Sequence, residues 1–367
     1  MANVIYAYTP HLDEVPVVVT GLAITETLNE FSTLSFSFTA DDRNKIAAEA
    51  MIPQTRVLVP ETGQWFRLSN VNPISSDDVR TYQVSAVHVG TDLHDKYVEN
   101  KLTNTQSLDQ CMKLITDGTS FNYVIHDSFS NYSFSDGFGA DYADSLLMNA
   151  LKNDFGFELY VDNWTIHIYK TLGQTDQFIF IDGYNASKIQ WTEDYSNIRT
   201  KIKGLGKQND DGTYAATAEY NSQAQTIWGV KQAATIQDDR FTDNNSLLAY
   251  IKSQLQDYPI VQYTMEQAEF EHHAKLSEIN NVAIGNSGLI KDRLGVDVDV
   301  RIIGMTIHPQ DAKQNDTVTF GNKLFDYEKN YALLQKVHDS NKIKDMQKDI
   351  SLISEKESKR KMWAINL

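Results

Sequence analysis

The chain has 367 residues, 41% hydrophobic and 11% aromatic, so it is long enough for roughly two to four domains with sizeable cores. Its net charge of −16 excludes tight nucleic-acid binding, because phosphate contacts need clustered Lys and Arg. One cysteine excludes a disulfide framework, and no stretch approaches the ~20 apolar residues of a membrane span. The first residues lack a basic and an apolar region, so we expect no signal peptide and a protein made in the cytoplasm.

Residues 1–98 have the pattern of a first small antiparallel β-barrel. Short segments rich in β-branched and aromatic residues recur at the spacing typical of a barrel or sandwich. They are 3–8, 15–22, 33–39, 55–59, 64–73 and 79–89. Between them, residues 41–51 are polar and then rich in Ala, which predicts a short helix or a loop.

Residues 99–175 have a mixed pattern that predicts an inserted α+β domain. The predicted elements are helices at 108–116 and 141–154, a strand at 121–126, and a hairpin at 157–169 that turns at Asp162-Asn163. Cys111 shares a helical face with Leu108, Met112 and Ile115. A free cysteine on such a face behaves as a small apolar residue, so we expect a buried structural thiol.

Residues 176–327 return to a β pattern and predict a second barrel with a helical insertion near 225–258. Strands are expected at 178–181, 188–192, 199–204 and 262–270, with 215–220 continuing the sheet after a polar hairpin loop at 207–214. A helix is expected at 246–256, where Asn244 or Asn245 is a plausible N-cap and Pro259 ends the element.

The stretch 276–322 has the clearest strand pattern. Val296, Val298, Val300 and Ile302 alternate with Asp297, Asp299, Arg301 and Ile303, and a second short strand at 317–320 follows a break at Gly304 and Pro309. The stretch carries no catalytic motif. Arg301, Asp297 and Asp299 alternate outward from the Val face.

Residues 328–367 are charged and helical in pattern. Ile343, Met346, Ile350 and Ile353 follow a 3-4-3 spacing over about two heptads, where three or four are needed to identify a coiled coil. A C-terminal helix that docks on a partner is equally consistent with this spacing. The predicted fold class is therefore α+β and mostly β, with two barrels, an inserted α+β domain and a C-terminal helical segment.

Catalytic and metal-binding patterns were sought next. Glu271-His272-His273 lacks the spacing of a zinc-binding helix, and adjacent residues of a strand point to opposite faces. Gly204-Leu205-Gly206 has no helix after it and predicts a turn rather than a dinucleotide loop. The Asp pairs 41–42, 77–78, 210–211 and 238–239 are better read as solvated turn residues than as a glycosidase dyad. We nominate no catalytic, cofactor-binding or metal-binding residue and expect no cofactor.

The segment Phe129–Phe138 is long, polar and aromatic. Exposed Tyr and Phe are enriched at interfaces, so it is either a surface loop that contacts a partner or an ordinary loop packed over the α+β domain.

The order of these domains resembles the phage tail hub proteins, which include the tail-associated proteins of the prophage endopeptidase tail family and the hubs of contractile baseplates. The stretches that carry the resemblance are Asn197–Gly206, Tyr220–Gly229, Leu247–Pro259 and Val282–Asn322. It implies a virion protein of the tail tip: a homotrimer whose two barrels per chain build a ring of six. That ring would meet the hexameric distal tail protein and open for DNA and the tape measure protein. On this resemblance, Arg301, Asp297 and Asp299 are candidates for the surface or the lumen of this ring.

The resemblance further implies contact with the host envelope at the tip, and with receptor-binding proteins in some relatives. In many relatives a long C-terminal extension carries a peptidase or muramidase, whereas this sequence ends at Leu367. We therefore expect a structural protein and not an enzyme. Two alternatives stay open: a cell-wall (peptidoglycan) hydrolase of the tail tip, and a saccharide receptor-binding module that uses the Phe129–Phe138 segment.

Overall fold

The computed structural model describes residues 3–11, 14–76, 79–183, 186–267, 281–291, 297–311 and 314–322. The predicted C-terminal helix at 328–367, the Glu271-His272-His273 sequence and the pair Asp77-Asp78 lie outside these residues.

Seven antiparallel strands form the first half of a large sheet, in the order β3-β4-β7-β6-β5-β1-β2. They are β1 (Val4–Tyr8), β2 (Glu14–Val18), β3 (Thr20–Thr27), β4 (Thr33–Thr39), β5 (Arg56–Val59), β6 (Gln64–Ser76) and β7 (Val79–His88). In β4, Leu34, Phe36 and Phe38 are buried while the serines between them face outward, as the alternation predicts. The single strand predicted at 15–22 is two strands that meet at Val19.

Asn44 fixes the entry to the short helix α1 (Lys45–Ala50). Its side chain accepts a hydrogen bond from Val18 N at 2.9 Å and donates to the carbonyl oxygens of Val18 and Thr39 at 2.9 and 3.0 Å. Asn44 is buried, so these bonds satisfy polar groups that water does not reach. The segment 41–51, which is polar and then rich in Ala, thus forms a helix, and the residue before that helix is hydrogen-bonded to β2 and β4.

The α+β region follows a 3-10 turn at Val89–Asp95. Its elements are β8 (Tyr97–Gln106), α2 (Leu108–Thr116), β9 (Asn122–Ile125), β10 (Tyr132–Tyr142), α3 (residues 143–155, with a π-helical middle at Leu146–Leu151), β11 (Glu158–Asp162) and β12 (Thr165–Tyr169). Strands β11, β12 and β9 form one sheet, and β8 pairs with β10 in a separate ribbon. Ser107 and Gln110 form a capping box that begins α2, and Gly156 ends α3 in the left-handed conformation.

The remaining elements are β13 (Phe178–Ile181), β14 (Ala186–Asp194), β15 (Lys201–Leu205), β16 (Thr217–Asn221), α4 (Gln225–Trp228), β17 (Ile236–Gln237), α5 (Asn244–Gln254), β18 (Ile260–Gln267), β19 (Ser287–Lys291), β20 (Asp297–Ile307) and β21 (Thr317–Asn322). The second half of the large sheet has the order β14-β18-β21-β20-β19-β13. Its core contains three aromatic rings, those of Phe178, Phe180 and Phe320, with centroids 4.9 to 5.8 Å apart.

Residues 195–258, the insert, form a separate small unit with its own sheet, β16-β15-β17, and its own core around Leu247 and Ile251. The prediction that 215–220 continues the barrel sheet is therefore wrong. The helix α5 is present as predicted, but its N-cap is Asp243, whose carboxylate accepts from Ser246 N at 2.8 Å. None of the helices in the described ranges is long and apolar enough to cross a membrane.

Strand β20 joins the two halves into one sheet of thirteen strands. Its first part pairs with β19, and its last four residues pair with β3, from Gly304 opposite Thr27 to Ile307 opposite Ile24. The break predicted at Gly304 is wrong, because Gly304 is a paired residue of a continuous strand.

The predicted fold class, α+β and mostly β, is confirmed, but the large sheet does not close on itself. Within the described ranges no ladder joins β2 to β3, and β13 meets β14 only through a single bridge between Asp182 and Ala186. Closed barrels are therefore not seen.

We predict that Asn44→Ala lowers the free energy of unfolding by about 2–3 kcal/mol, because it removes the Asn44 partner of Val18 N and Val18 O at a part-buried place and one of the two hydrogen bonds to Thr39 O. Urea unfolding followed by circular dichroism measures the change. The control is Asn245→Ala, an exposed side chain in the first turn of α5, for which we expect a change within about 0.5 kcal/mol. Equal effects of the two substitutions would contradict the role given to Asn44.

Candidate functional site

The hairpin formed by β11 and β12 is the place where the other parts of the molecule meet. Its turn contacts the β5–β6 turn of the first half: Asn163 Oδ1 accepts from Trp65 N at 2.9 Å, and Asn163 Nδ2 donates to Gly63 O at 3.2 Å. The rings of Trp65 and Trp164 lie 6.0 Å apart, and the Arg56 guanidinium lies 5.8 Å from the Trp164 ring. The predicted Asp162-Asn163 turn is thus also a docking element.

His88 lies buried behind this contact. Its Nδ1 accepts from Gly90 N at 3.0 Å, so the ring proton is on Nε2, which donates to Gln64 Oε1 at 3.0 Å. Burial lowers the pKa of His88 to about 4, and the more distant carboxylates of Asp162 and Asp92 oppose the shift. His88 is therefore a neutral structural ring at pH 7.

Arg301 connects the second half of the sheet to the same hairpin. Its guanidinium donates to both carboxylate oxygens of Glu158, at 2.6 Å for Oε1, and to the carbonyl oxygens of Gly285 and Leu172 at 2.8 and 2.7 Å. Glu158 Oε2 also accepts from Leu172 N at 2.6 Å. We call this set of four residues the Arg301 junction. The side chains of Arg301 and Glu158 are only 16% and 19% exposed.

The prediction that Arg301 faces a ring surface or lumen is wrong, because its charge is used inside the molecule. Asp299 is exposed, and nothing is described of the Asp297 side chain. No local pattern near residue 301 indicates the partner, since Glu158 lies 143 residues earlier in the chain.

Two glycines let the chain pass through the Arg301 junction. Gly173 and Gly285 both have a φ of +87°, and a Cβ on Gly173 would lie 2.3 Å from the carbonyl carbon of Gly285. The segment after β12 therefore crosses the loop that precedes β19 with the two backbones in direct contact. Only glycine, which has no Cβ, leaves room for this crossing.

The insert contacts the α+β region through Arg240. Arg240 Nη1 donates to Tyr132 Oη at 3.1 Å, and the Arg240 guanidinium lies 5.2 Å from the Tyr132 ring. The Asp238 carboxylate accepts a hydrogen bond from the same guanidinium at 2.6 Å. Burial and the neighbouring Asp154 raise the pKa of Tyr132 to about 12, so the phenol stays protonated. The α+β region thus contacts the first half, the second half and the insert.

A cleft of about 530 Å³ opens beside the Arg301 junction, with Glu26, Tyr160, Tyr169 and Met305 in its wall. Burial raises the pKa of the Glu26 carboxyl, and burial together with the Glu26 charge raises the pKa of Tyr160 to about 12. The described residues that line the cleft bring no His or Cys next to these groups. What they offer is a partly aromatic wall rather than an arrangement of nucleophile and base.

Cys111 is fully buried in α2, and burial raises its pKa to about 12, so the thiol is protonated and unreactive. The prediction of a structural thiol is confirmed.

Gly204 and Gly206 do not form the predicted turn. Gly204 lies in β15, and a Cβ on it would lie 2.7 Å from Ile251 Cγ2. Gly206 follows β15 directly, and a Cβ on it would lie 2.2 Å from Phe241 O. Their role is the close approach of β15 to α5 and to the segment before it.

The Phe129–Phe138 segment is largely a strand rather than a loop. Phe138 is buried, and Phe134 packs between Phe138 and Phe155 with ring centroids 5.2 and 6.4 Å away. Phe129 meets Phe157 edge to face. These rings pack on the α+β core, as expected for a segment that lies over the α+β domain.

The paired aspartates have local partners. Asp41 binds Arg43, Asp211 accepts from Thr213, and Asp238 binds Arg240. Among the residues that the structure describes, no three His, Cys, Asp or Glu side chains are grouped as metal ligands would be.

We predict that Arg301→Ala lowers the free energy of unfolding by about 3 kcal/mol, because it leaves the Glu158 carboxylate largely buried without its partner. Chemical denaturation measures this value. Arg43→Ala is the control, since its pair with Asp41 is exposed to water and we expect a much smaller loss of stability than for Arg301→Ala. In a double-mutant cycle, Arg301→Met with Glu158→Leu should cost less than the sum of the single changes; additive values would contradict the junction.

We predict that His88 makes the protein less stable in mild acid. The folded pKa of about 4 lies below the ordinary 6.5, so the unfolded chain binds the extra proton between these values and stability falls as the pH drops through this window. The loss should reach roughly 3 kcal/mol by pH 4. His88→Gln should flatten the dependence of the unfolding free energy on pH in this window. A wild-type slope in the His88→Gln variant would refute this assignment.

Family models match two adjoining parts of the chain. Residues 95–169 match the prophage endopeptidase tail domain, and residues 173–344 match the prophage endopeptidase tail family. The boundary between the two matches falls at Gly173, the crossing point of the Arg301 junction. No curated protein sequence matches the chain.

Solved structures that share the fold include three tail proteins. The prophage tail protein gp18 of Listeria monocytogenes EGD-e is 20% identical, with a TM-score of 0.67 over 91% of this chain and 99% of its own. The 43 kDa tail protein of prophage MuSo2 from Shewanella oneidensis is 14% identical, with a TM-score of 0.65 over 87% and 98%. The tail protein of Neisseria meningitidis MC58 is 12% identical, with a TM-score of 0.62 over 87% and 96%.

The family matches span both sides of the Arg301 junction, and the shared fold extends over most of the chain. The chain is a phage tail-associated protein of the prophage endopeptidase tail family.

Proposed function

We propose that this protein is the hub of the phage tail tip. In this role it is a homotrimer that docks on the hexameric distal tail protein and surrounds the exit of the tail channel. It closes the channel before infection and opens it for DNA and the tape measure protein.

The observation that carries the proposal is the pairing of β20 with β3. This backbone ladder holds the two halves of the sheet side by side in each chain. A trimer then has six β-rich units, two from each chain. These six units can contact the six subunits of a hexameric partner, although the trimer itself has only threefold symmetry. We propose that each half closes into a small barrel in the assembled ring.

We propose four domains: the first barrel at 1–98, the α+β domain at 99–175, the second barrel at 176–327 and a C-terminal helix at 328–367. Separate hydrophobic clusters in the first half, the α+β region and the second half support the first three boundaries. The insert has its own cluster as well, so we extend the helical insertion from 225–258 to 195–258.

The charge of the chain suits a passage for DNA. A net charge of −16 repels phosphate groups, so DNA can move past the protein without being held.

We assign the protein a structural rather than an enzymatic role. The word endopeptidase belongs to the name of the family, and the cleft beside the Arg301 junction pairs a carboxyl with a phenol rather than a nucleophile with a base. Release of soluble fragments from host peptidoglycan by the purified protein, lost in a Glu26→Gln variant, would overturn this assignment and favour a hydrolase.

We predict that size-exclusion chromatography with light scattering gives the purified chain three times its monomer mass, or, in the mixture with the distal tail protein, a complex of three copies of this chain with six of the partner. Electron-microscopy class averages of the mixture should show a ring with six similar units around a hole. A monomer under both conditions would rule out the hub. Removal of residues 340–367 tests the proposal that the C-terminal helix packs between protomers, because it should weaken assembly.

A further inference from the structure

An apolar patch on the insert is exposed and yet held rigidly. It consists of Tyr195, Ile227, Trp228 and Val230, and we call it the Trp228 patch. Ile227, Tyr195 and Val230 are 43%, 46% and 70% exposed, and the rings of Tyr195 and Trp228 lie 5.7 Å apart. Contiguous exposed apolar side chains of this kind mark interaction sites.

Thr200 fixes the shape of this patch. It is fully buried, its Oγ1 donates to Gly229 O at 2.8 Å and accepts from Lys231 N at 2.8 Å, and its backbone N donates to Lys231 O at 2.7 Å. Gly229 N also donates to Gln225 O at 3.0 Å. The residues on both sides of Val230 are therefore held in place before any partner arrives, which lowers the entropy cost of binding.

Basic side chains flank the Trp228 patch. Lys231 follows Val230 and is exposed, and Arg199 Nη1 donates to the carbonyl oxygens of Ser196 and Ile198 beside Tyr195. Neither forms an ion pair with another residue of the described ranges. Asp194 lies nearby, where its carboxylate accepts from Ser196 N at 2.8 Å. Two basic side chains and one exposed carboxylate thus border this patch, a local net charge of +1 in a chain of net charge −16.

A second exposed patch, on the α+β region, has the opposite border. It consists of His94, Tyr97 and Tyr142, and we call it the Tyr97 patch. His94 stacks on Tyr142 at 4.2 Å, Tyr97 meets Tyr142 edge to face at 5.3 Å, and the two tyrosines are 51% and 42% exposed.

Carboxylates surround the Tyr97 patch. Asp144 contacts His94 Nδ1 at 3.0 Å, Asp141 precedes Tyr142 in β10, and Asp95 and Glu99 are exposed two residues on either side of Tyr97. The nearby Lys96 is turned away, since its Nζ donates to Leu114 O at 2.7 Å. The border of this patch is therefore negative.

We infer that the Trp228 patch of one copy of this chain docks on the Tyr97 patch of the next copy. The two surfaces are apolar or aromatic at the centre and opposite in charge at the border, as complementary interfaces are. Because the patches differ, the contact is head-to-tail, and a head-to-tail contact closes into a ring when its rotation permits. The inference rests on the proposed trimeric hub and names the surfaces through which its subunits meet.

The first test uses single substitutions in the full chain. Val230→Asp should raise the dissociation constant of self-association at least about 10-fold, because it places a carboxylate opposite Asp95 and Glu99. Analytical ultracentrifugation over a range of concentrations measures it. The matched control is Ile46→Asp on α1, a side chain that is 68% exposed and outside both patches, for which we expect no change. Both substitutions are on exposed positions, and equal melting temperatures confirm that the variants fold.

The second test exchanges the charges of the two borders. Arg199→Glu with Lys231→Glu should weaken association, and so should Asp95→Lys with Glu99→Lys. The chain that carries all four changes should associate at least about 10-fold more tightly than either pair of changes, because opposite charges face each other again. Failure of this rescue would overturn the pairing of the two patches.

The outcomes separate this inference from the proposed function. A wild-type trimer that Val230→Asp does not weaken overturns the inference and leaves the hub standing. A wild-type monomer, alone and with the distal tail protein, overturns both. Binding of the Trp228 patch to vesicles of phosphatidylcholine and phosphatidylglycerol, lost in Val230→Asp without any change in self-association, would assign it to a lipid surface and overturn the inference.

Discussion

The arrangement of this protein depends on one buried ion pair and the backbone that surrounds it. Arg301 on β20 binds Glu158 on β11 and two carbonyl oxygens, so one side chain fixes the second half of the sheet against the α+β region. Strand β20 also pairs with β3, so the same strand fixes the first half. This charge pair is largely shielded from water, and its bidentate geometry holds the second half and the α+β region in one arrangement.

The sequence predicts those parts of the fold that depend on local pattern. The alternation in β4, the helix α2 with its capping box and the β11–β12 hairpin follow from residues close together in the chain. Strand β10 was not predicted, because its Ser, Gly and Asp residues read as a loop and its pairing with β8 depends on packing in the α+β core. Gly304 was read as a break for the same reason, since its partner Thr27 is far away in sequence.

The candidate site was less predictable than the fold. In the sequence, Arg301 lies on the outer side of an alternating strand, and this position predicts an exposed side chain. Its role depends on the Glu158 carboxylate, which comes from a distant part of the chain. Asn163 and Gln64 have ordinary turn and strand contexts and act through contacts about a hundred residues apart. A protein whose function depends on how its parts are joined therefore shows little of that function in any single motif.

The insert leaves and re-enters the sheet through neighbouring strands, since Asp194 at the end of β14 pairs with Ile260 at the start of β18. Its two ends are thus about 5 Å apart, the spacing of adjacent antiparallel strands. A gene lacking residues 195–258 could close the gap with a short hairpin turn and keep the register of every other strand. Replacement of this unit would therefore keep the pairing of β14 with β18, and it would remove the contact of Arg240 with the α+β region.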